Sequence, residues 1–332
     1  MMKTLHIFNP SHDEALAAHS PYYTPSRAAW RMEAELWDLP RLWAAEGDAV
    51  WDFRSAVRWD EVARIEPWGW DALVRHRLER AGAPARLLPT DDVLTAVRRL
   101  SSRQTAVSLL PLLRRDCPQT LGASAFCASE QALHKALQAT HNEGYMLKAP
   151  WSSSGRGVFR LQVADNARAV ARTQRILRRQ GGIVVEPYQP HVADFAMEFR
   201  YERGVAYYEG LSLFQTSPSG AYLGNVVDAD EGLMRRLCAL APAFKNLPDV
   251  LHDVRASLLR CLPELLRTDY EGPLGVDMML SHNAIHPCVE VNLRRTMGSV
   301  AIALRTMHSL PVRFFLAEED GKLRPMLRPI TE

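Results

Sequence analysis

YMLKAPWSSSGRGVFR, residues 145–160, is the stretch on which the interpretation of the whole chain depends. An apolar run ends in Lys148, a loop of small residues follows, and a second apolar run begins. Strand, small-residue loop and strand is a pattern that lays backbone N–H groups and hydroxyls over a polyphosphate, with a cation beside them. Only five of the 40 basic residues are lysines, so a lysine at this position stands out as a compact charge for a phosphate oxygen. A surface hairpin with a Ser/Gly turn is the alternative.

A second informative stretch, residues 272–301, predicts a two-stranded hairpin. Its first strand carries Asp277, and its second strand carries Glu290 and Asn292. Glu290 and Asn292 are two positions apart, so their side chains leave the same face of a strand. In such a hairpin Asp277 and Glu290 can lie opposite each other. Two carboxylates and a carboxamide oxygen form an all-oxygen set suited to Mg²⁺.

The alternative for this hairpin is purely structural. Asp277 would be hydrogen-bonded within the sheet, and Asn292 would cap a helix that begins near Met297. We favour the metal site because two acids on one buried face repel each other without a cation. Arg294 and Arg295 follow the second strand, where a guanidinium can stabilise developing negative charge.

The N-terminal residues 1–115 alternate strand and helix patterns and predict a compact parallel-sheet domain, including a short strand near residues 86–88. Ser11 and Glu14 have the spacing of a capping box at the start of the first helix. His12 and Asp13 lie between them, where a strand's carboxyl end meets a helix N-terminus and open α/β sheets bind ligands. His12 and Asp13 are therefore candidates for contact with the substrate, and a structural role is the alternative that we favour.

The composition excludes several classes of protein. With 332 residues, 47% hydrophobic and 23% charged, the chain is globular and long enough for two or three domains. A net charge of +2 without a basic, aromatic-rich stripe argues against a nucleic-acid partner. Five cysteines without CxxC spacing indicate reduced thiols and no zinc site. The sequence has neither a signal-peptide pattern nor a membrane-length apolar run, so we expect a cytoplasmic protein with no membrane partner.

The chain resembles the ATP-grasp superfamily in a set of motifs that occur in the superfamily's order. These are Lys148, the Ser/Gly loop, Glu186 after an apolar strand, and Asp277 with the E-x-N motif at Glu290. The resemblance covers roughly residues 100–310, and twelve residues separate Asp277 from Glu290, as in the superfamily's magnesium motif. It implies an α/β N-terminal (pre-ATP-grasp) domain followed by an α+β two-lobed ATP-grasp domain that clamps ATP. The implied segments are residues 1–115, an N-terminal lobe at 116–190 and a C-terminal lobe at 191–332.

The resemblance also implies a role for each matching residue. Lys148 and Arg294 would act in catalysis, the backbone of residues 186–189 would read adenine, and Asp194 would hold the ribose hydroxyls. The implied nucleotide-binding residues are Arg103, Lys148, Ser152, Ser153, Ser154, Gly155, Gly157, Glu186, Tyr188, Gln189 and Asp194. The implied metal ligands are Asp277, Glu290 and Asn292. Position alone suggests that His12, Asp13, Tyr222, Asn225 and Arg295 face the substrate.

Three departures from the family pattern concern the substrate more than the nucleotide. Pro187 removes one hinge N–H, Gly275 lies where many peptide-ligase relatives carry an arginine, and no Pro-Gly turn follows Asn292. The resemblance implies an ATP-dependent carboxylate–amine ligase that uses Mg²⁺ or Mn²⁺ and an acylphosphate, acting on small-molecule or peptide-like substrates. A small-molecule kinase and a non-catalytic nucleotide-binding module are the alternatives. The acid and the amine stay open, and a homodimer is compatible with the sequence.

Overall fold

Three β-sheets follow one another along the chain in a computed structural model. The structure describes residues 2–138, 143–152, 157–162, 167–217, 220–307 and 311–330. Within these residues, no helix combines the length and the apolar character needed to cross a lipid bilayer. All five cysteines are free thiols, as the sequence predicts.

The first sheet has three parallel strands in the order β2-β1-β3, which agrees with the predicted parallel-sheet domain. Its core is apolar, with Leu5, Ile7 and Val74 buried between sheet and helices. The elements of this region are β1 (Lys3–Ile7), α1 (His12–Ala18), α2 (Arg27–Leu36), β2 (Ala49–Trp51), β3 (Val62–Pro67), α3 (Ala72–Arg80), α4 (Asp91–Leu100) and α5 (Gln104–Asp116).

Two expectations for this region are wrong. Residues 86–88 do not form a strand: Ala85–Leu87 is a 3₁₀ turn, bracketed by Pro84 and Pro89, which have no N–H for a sheet ladder. Helix α1 has no capping box, because Ser11 makes no side-chain cap bond. Glu14 instead accepts hydrogen bonds from the backbone N–H and hydroxyl of Ser26 at 2.9 and 2.6 Å. This ties α1 to the start of α2.

The second sheet is antiparallel, has four strands in the order β4-β7-β5-β6, and carries Lys148 at the end of its strand β5. Leu147 and Val185 lie on the opposite face of this sheet from Lys148 and are buried beneath the helices. The elements are β4 (Ala125–Cys127), α6 (Glu130–Ala136), β5 (Tyr145–Lys148), β6 (Val158–Leu161), α7 (Ala167–Gln180) and β7 (Ile183–Pro187).

The third sheet is antiparallel, with seven strands in the order β12-β11-β8-β9-β10-β13-β14. The described elements are β8 (Ala193–Glu202), β9 (Val205–Thr216), β10 (Tyr222–Val227), α8 (Asp230–Leu240), α9 (Leu247–Leu266), β11 (Gly272–Leu280), β12 (Ile285–Asn292), α10 (Met297–Leu304), β13 (Val312–Glu319) and β14 (Lys322–Pro329). Thr296 caps α10 through a capping box, so Asn292 does not cap this helix.

One face of the large sheet is covered by helices α5, α8 and α9, and the other, on which α10 packs, forms the wall of a cleft. Phe195, Met197 and Phe199 of β8 point into the helix-covered core, together with Leu109 of α5. Helix α5 lies within the segment that the sequence assigned to the first domain, but its apolar side packs on the large sheet. The opposite face of that sheet and the small sheet enclose a cleft of about 1510 Å³, with N-terminal residues such as Phe8 at its margin.

Candidate active site

The β11–β12 pair brings the three candidate metal ligands together. Asp277 is the direct partner of Glu290 in the antiparallel register, and Gly275 is the partner of Asn292. Directly paired residues share a face of the sheet, and all three side chains line the cleft. Asn292 Nδ2 lies 3.1 Å from Asp277 Oδ2 and donates a hydrogen bond to it.

The electrostatics of this set fit a divalent cation. Loss of water around Asp277, with the charge of Glu290 acting in the same direction, raises the pKa of Asp277 to about 7. Glu290 is paired with Arg103 at 2.8 Å, but Glu290 still repels Asp277, and a cation between the two carboxylates would relieve that repulsion. No group of three or more His, Cys, Asp or Glu suited to a metal occurs in the described ranges. The donor set is thus two carboxylates and a carboxamide, and Asn292 would have to present its amide oxygen.

Arg103 links the metal set to the predicted phosphate loop. Its buried guanidinium donates to Glu290 Oε2 at 2.8 Å and to Ser152 Oγ at 2.6 Å. It also donates to the backbone carbonyl of Ala149 at 2.7 Å, directly after Lys148. One planar cation thus reaches the small sheet and the large sheet at once, since a guanidinium has five N–H donors in a fixed fork.

Lys148 lines the same cleft as the metal set and is paired with an acid of its own sheet. Its Nζ is 2.5 Å from Glu186 Oε2, and both side chains are 7% exposed. Strand pairing places Glu186 beside Met146, so these two side chains leave the same face, with Lys148 two residues further along. Both residues line the cleft. A buried ion pair of this kind keeps a cation in place at the cost of desolvating two charges.

The loop after Lys148 is described only at its ends. Ser152 is held by Arg103, and a Cβ on Gly157 would lie 2.3 Å from Ser152 Oγ, so this close approach requires glycine. The predicted phosphate-loop residues Ser153, Ser154 and Gly155 lie outside the described residues. The role of the loop therefore stays a prediction.

The predicted hinge and ribose residues line the cleft beside Lys148. The backbone N–H of Tyr188 donates to Gly144 at 2.9 Å, so this N–H is engaged within the protein. Asp194 accepts from Thr216 Oγ1 at 2.7 Å and lies 3.1 Å from His191 Nε2. Burial favours protonation of Asp194, but the bonds from His191 and Thr216 outweigh it and lower its pKa. Asp194 is therefore an anionic hydrogen-bond acceptor at neutral pH.

Asp13 is one of the five predicted substrate-facing residues, and it lines the cleft. There it forms an ion pair with Arg294. Its carboxylate lies 3.1 Å from Arg294 Nη2 and 3.3 Å from Arg294 Nε. Desolvation tends to lower the pKa of Arg294, but the charge of Asp13 and the hydrogen bond to it raise this pKa above its usual value. The pair joins the N-terminal domain to the end of the metal-bearing strand β12.

The other four residues divide into two groups. Tyr222 and Asn225 line the cleft, and Tyr222 Oη donates to Asn225 Oδ1 at 2.6 Å. His12 is 1% exposed and lies 3.1 Å from Asp71 Oδ2. Arg295 lies 3.5 Å from Glu66 and over the ring of Trp43. Neither His12 nor Arg295 lines the cleft, so the structure assigns both to contacts within the protein.

Sequence reasoning missed Glu198, a buried acid in the cleft wall. Its Oε1 accepts from Thr296 Oγ1 at 2.7 Å, while its Oε2 is buried and has no hydrogen-bond partner among the residues that the structure describes. A buried acceptor without a donor costs about 1–3 kcal/mol. Alternation along β8 was the available signal, since Asp194 and Glu198 share one face while Phe195 and Met197 occupy the other.

The pKa of Glu198 makes the stability of the fold depend on pH. Loss of hydration raises this pKa from 4.5 to about 8, against the effect of the Thr296 hydrogen bond. Between these values the folded state keeps a proton that the unfolded chain has released, so stability falls as the pH rises. Glu198 alone contributes up to about 1.4 kcal/mol for each pH unit. We expect Glu198→Gln to flatten this slope in urea unfolding with EDTA from about pH 5 to about pH 8.

A matched control for this experiment is Glu264→Gln, which changes an exposed acid on helix α9. It should leave the pH slope of the unfolding free energy as it is in the parent protein. Equal slopes for the parent and Glu198→Gln would contradict the raised pKa.

Comparisons with known proteins agree on the fold, although no family model matches the chain. A putative ATP-grasp superfamily protein from Archaeoglobus fulgidus superposes with a TM-score of 0.52 at 11% identity, covering 99% of this chain and 100% of that one. N5-carboxyaminoimidazole synthetase from Staphylococcus aureus, complexed with ADP, gives 0.51 at 10% identity over 96% and 83% of the chains. D-cycloserine synthetase gives 0.50 at 15% identity over 91% and 98%.

One curated sequence relative is the [butirosin acyl-carrier protein]–L-glutamate ligase of Niallia circulans. It is 25% identical over 186 residues, which are 54% of this chain and 40% of that protein. The matched region thus spans less than half of the relative's own length. At these identities the likeness to solved structures concerns the fold alone.

Proposed function

We propose, for a chain that has the ATP-grasp fold, the activity of an ATP-dependent carboxylate–amine ligase. The observation that carries the proposal is the bridge made by Arg103. Its guanidinium contacts both Ser152, in the loop that follows Lys148, and Glu290 of the metal set. A phosphate-binding lysine and an all-oxygen metal set therefore face one cleft within the reach of a single side chain. This is the arrangement needed to hold a nucleoside triphosphate by its phosphates.

In this proposal each group in the cleft has a role in positioning ATP. Lys148 and Arg103 bind phosphate oxygens, and Asp194 accepts hydrogen bonds from the ribose hydroxyls. Because Pro187 has no N–H and that of Tyr188 is engaged, adenine recognition uses Gln189. Mg²⁺ or Mn²⁺ held by Asp277, Glu290 and Asn292 would supply neutralisation of the phosphate charge.

The first step joins the acid to phosphate. A carboxylate oxygen of the acid bonds to the γ-phosphorus as the bond from that phosphorus to the β–γ bridging oxygen breaks, which gives an acylphosphate and ADP. No side chain has to act as a nucleophile, so the protein contributes orientation and charge. Arg294, fixed by Asp13, lies at the end of β12, where it can stabilise charge on the phosphoryl group.

The second step forms the amide. The unprotonated amine nitrogen bonds to the acyl carbon, the C–O bond to phosphate breaks, and the nitrogen releases a proton. The products are an amide, phosphate and ADP. Enclosure between the two sheets keeps water from the acylphosphate before the amine reacts.

The test is to mix the protein with ATP, Mg²⁺ and pairs of acids and amines drawn from the common amino acids, and to measure ADP and free phosphate. We expect equal amounts of ADP and phosphate, and only when an acid and an amine are both present. ADP without free phosphate would instead identify a kinase. Tight ATP binding with no ADP across the panel would identify a nucleotide-binding module.

A further inference from the structure

Glu198 presents an unused hydrogen-bond acceptor to the cleft. The side chain is 2% exposed and lines the cleft wall, and Oε1 is engaged by Thr296. Oε2 has no hydrogen-bond partner within the described part of the chain. Glu198 pairs with Gly275, two residues before Asp277, so its carboxyl lies on the same sheet face as the metal set. The acceptor therefore faces the same cleft as the proposed metal set.

Two glycines make room for this carboxyl. A Cβ on Gly275 would lie 2.7 Å from Glu198 Oε2, and a Cβ on Gly298 would lie 2.1 Å from Oε1 and 2.5 Å from Ser212 Oγ. Neither glycine has a positive φ, so the backbone at these positions does not itself require glycine. Glycine within a strand or a helix is unfavourable for local stability. Close packing against the Glu198 carboxyl explains why both Gly275 and Gly298 lack a side chain.

The charges around Glu198 favour a cationic ligand. Asp277 and Glu209 act on it as like charges, and Arg294, which acts as an opposing cation, is paired with Asp13. An anionic group would meet repulsion here, whereas an ammonium brings positive charge and three N–H donors. Ser212 Oγ accepts from Asn225 Nδ2 at 2.8 Å and has a second lone pair for another donor.

We infer that Glu198 recognises the amine substrate: its carboxyl gives up its proton when the amine binds, and Oε2 then accepts a hydrogen bond from the primary amino group, held as its ammonium, with Ser212 Oγ as a second acceptor. This assignment rests on the proposed ligase activity and specifies its second substrate. Before the nitrogen attacks the acylphosphate, the ammonium transfers a proton to Oε2 of Glu198, so the amine is neutral when the new C–N bond forms.

The test variant is Glu198→Gln, which keeps the oxygen that accepts from Thr296 and replaces Oε2 with an N–H donor. The probe is the amine, among the common amino acids, β-alanine and methylamine, that most accelerates ADP release by the parent protein. We expect the KM for this amine to rise at least about tenfold, with the KM values for ATP and the acid unchanged. Hydroxylamine is uncharged at neutral pH, so trapping of the acylphosphate as hydroxamate should proceed at the parental rate.

Glu209→Gln is the matched control, because it removes a neighbouring negative charge whose side chain does not line the cleft. It should leave the amine KM within about twofold of the parent. An unchanged amine KM in Glu198→Gln would overturn the assignment, and so would equal losses of hydroxamate formation and amine-dependent turnover. If the parent forms neither ADP nor hydroxamate with any acid, the ligase proposal itself fails and the assignment falls with it.

Discussion

Replacing Glu290 by glutamine is expected to lower ATP-dependent ADP release by at least about a thousandfold, which corresponds to about 4 kcal/mol in the activation free energy. Glu290 faces Asp277 across the strand pair and is one of only two carboxylates in the proposed metal set. Glutamine keeps an oxygen for the bond from Arg103 and removes the negative charge that attracts a cation. The measurement is ADP release under saturating ATP and Mg²⁺.

The control for this variant is again Glu264→Gln on the exposed side of α9, which should retain the parental rate of ADP release. The melting temperature of Glu290→Gln should stay close to that of the parent, because the Arg103 hydrogen bond has an acceptor in both proteins. ADP release within about tenfold of the parental rate would show that Glu290 does not hold the metal.

Lys148→Met is expected to affect both folding and nucleotide binding. Glu186 would be left with an unpaired charge at 5% exposure, and such a loss of one partner typically costs about 3–5 kcal/mol of unfolding free energy. ATP affinity should also fall, because a phosphate-binding cation is removed. Urea unfolding and calorimetric titration with ATP measure the two effects separately.

The double variant Lys148→Met/Glu186→Gln separates the two roles of Lys148. Removing both charges should restore most of the unfolding free energy, because no buried ion is left unpaired. It should not restore ATP binding, because the cation is still missing. Recovery of parental ATP affinity in the double variant would contradict the assignment of Lys148 to the phosphates.

The metal-bearing hairpin was accessible from the sequence because strand geometry is simple. A period of two fixes the face shared by Glu290 and Asn292, and a short turn brings Asp277 opposite Glu290. The structure has this pairing in its register. The position of Lys148 at the end of a short apolar strand was predictable for the same reason.

Long-range partners were not accessible in this way. The contacts of Arg103 with Glu290 and of Lys148 with Glu186 join residues far apart in sequence, through sheet register and helix packing. Local patterns also misled where a tertiary contact is stronger. Glu14 has the spacing of a capping box, but its carboxylate bonds to Ser26, and His12 turns toward Asp71 in the interior.

Glu198 shows a different limit of sequence reasoning. Its place on the polar face of β8 follows from alternation, but an acid on that face would usually be assigned to solvent. The two glycines that enclose it come from strand β11 and helix α10, which meet β8 only in the folded chain. An unsatisfied oxygen is a property of that assembled environment.

Transfer of ¹⁸O from the substrate to phosphate tests the central claim most directly. The acid that supports ADP release is labelled in its carboxylate with ¹⁸O, and the released phosphate is analysed by mass spectrometry. An acylphosphate mechanism predicts one labelled oxygen in each phosphate, because the carboxylate oxygen that attacks the γ-phosphorus leaves with it. Unlabelled phosphate, or a stable phosphorylated product without free phosphate, would contradict the proposed ligase.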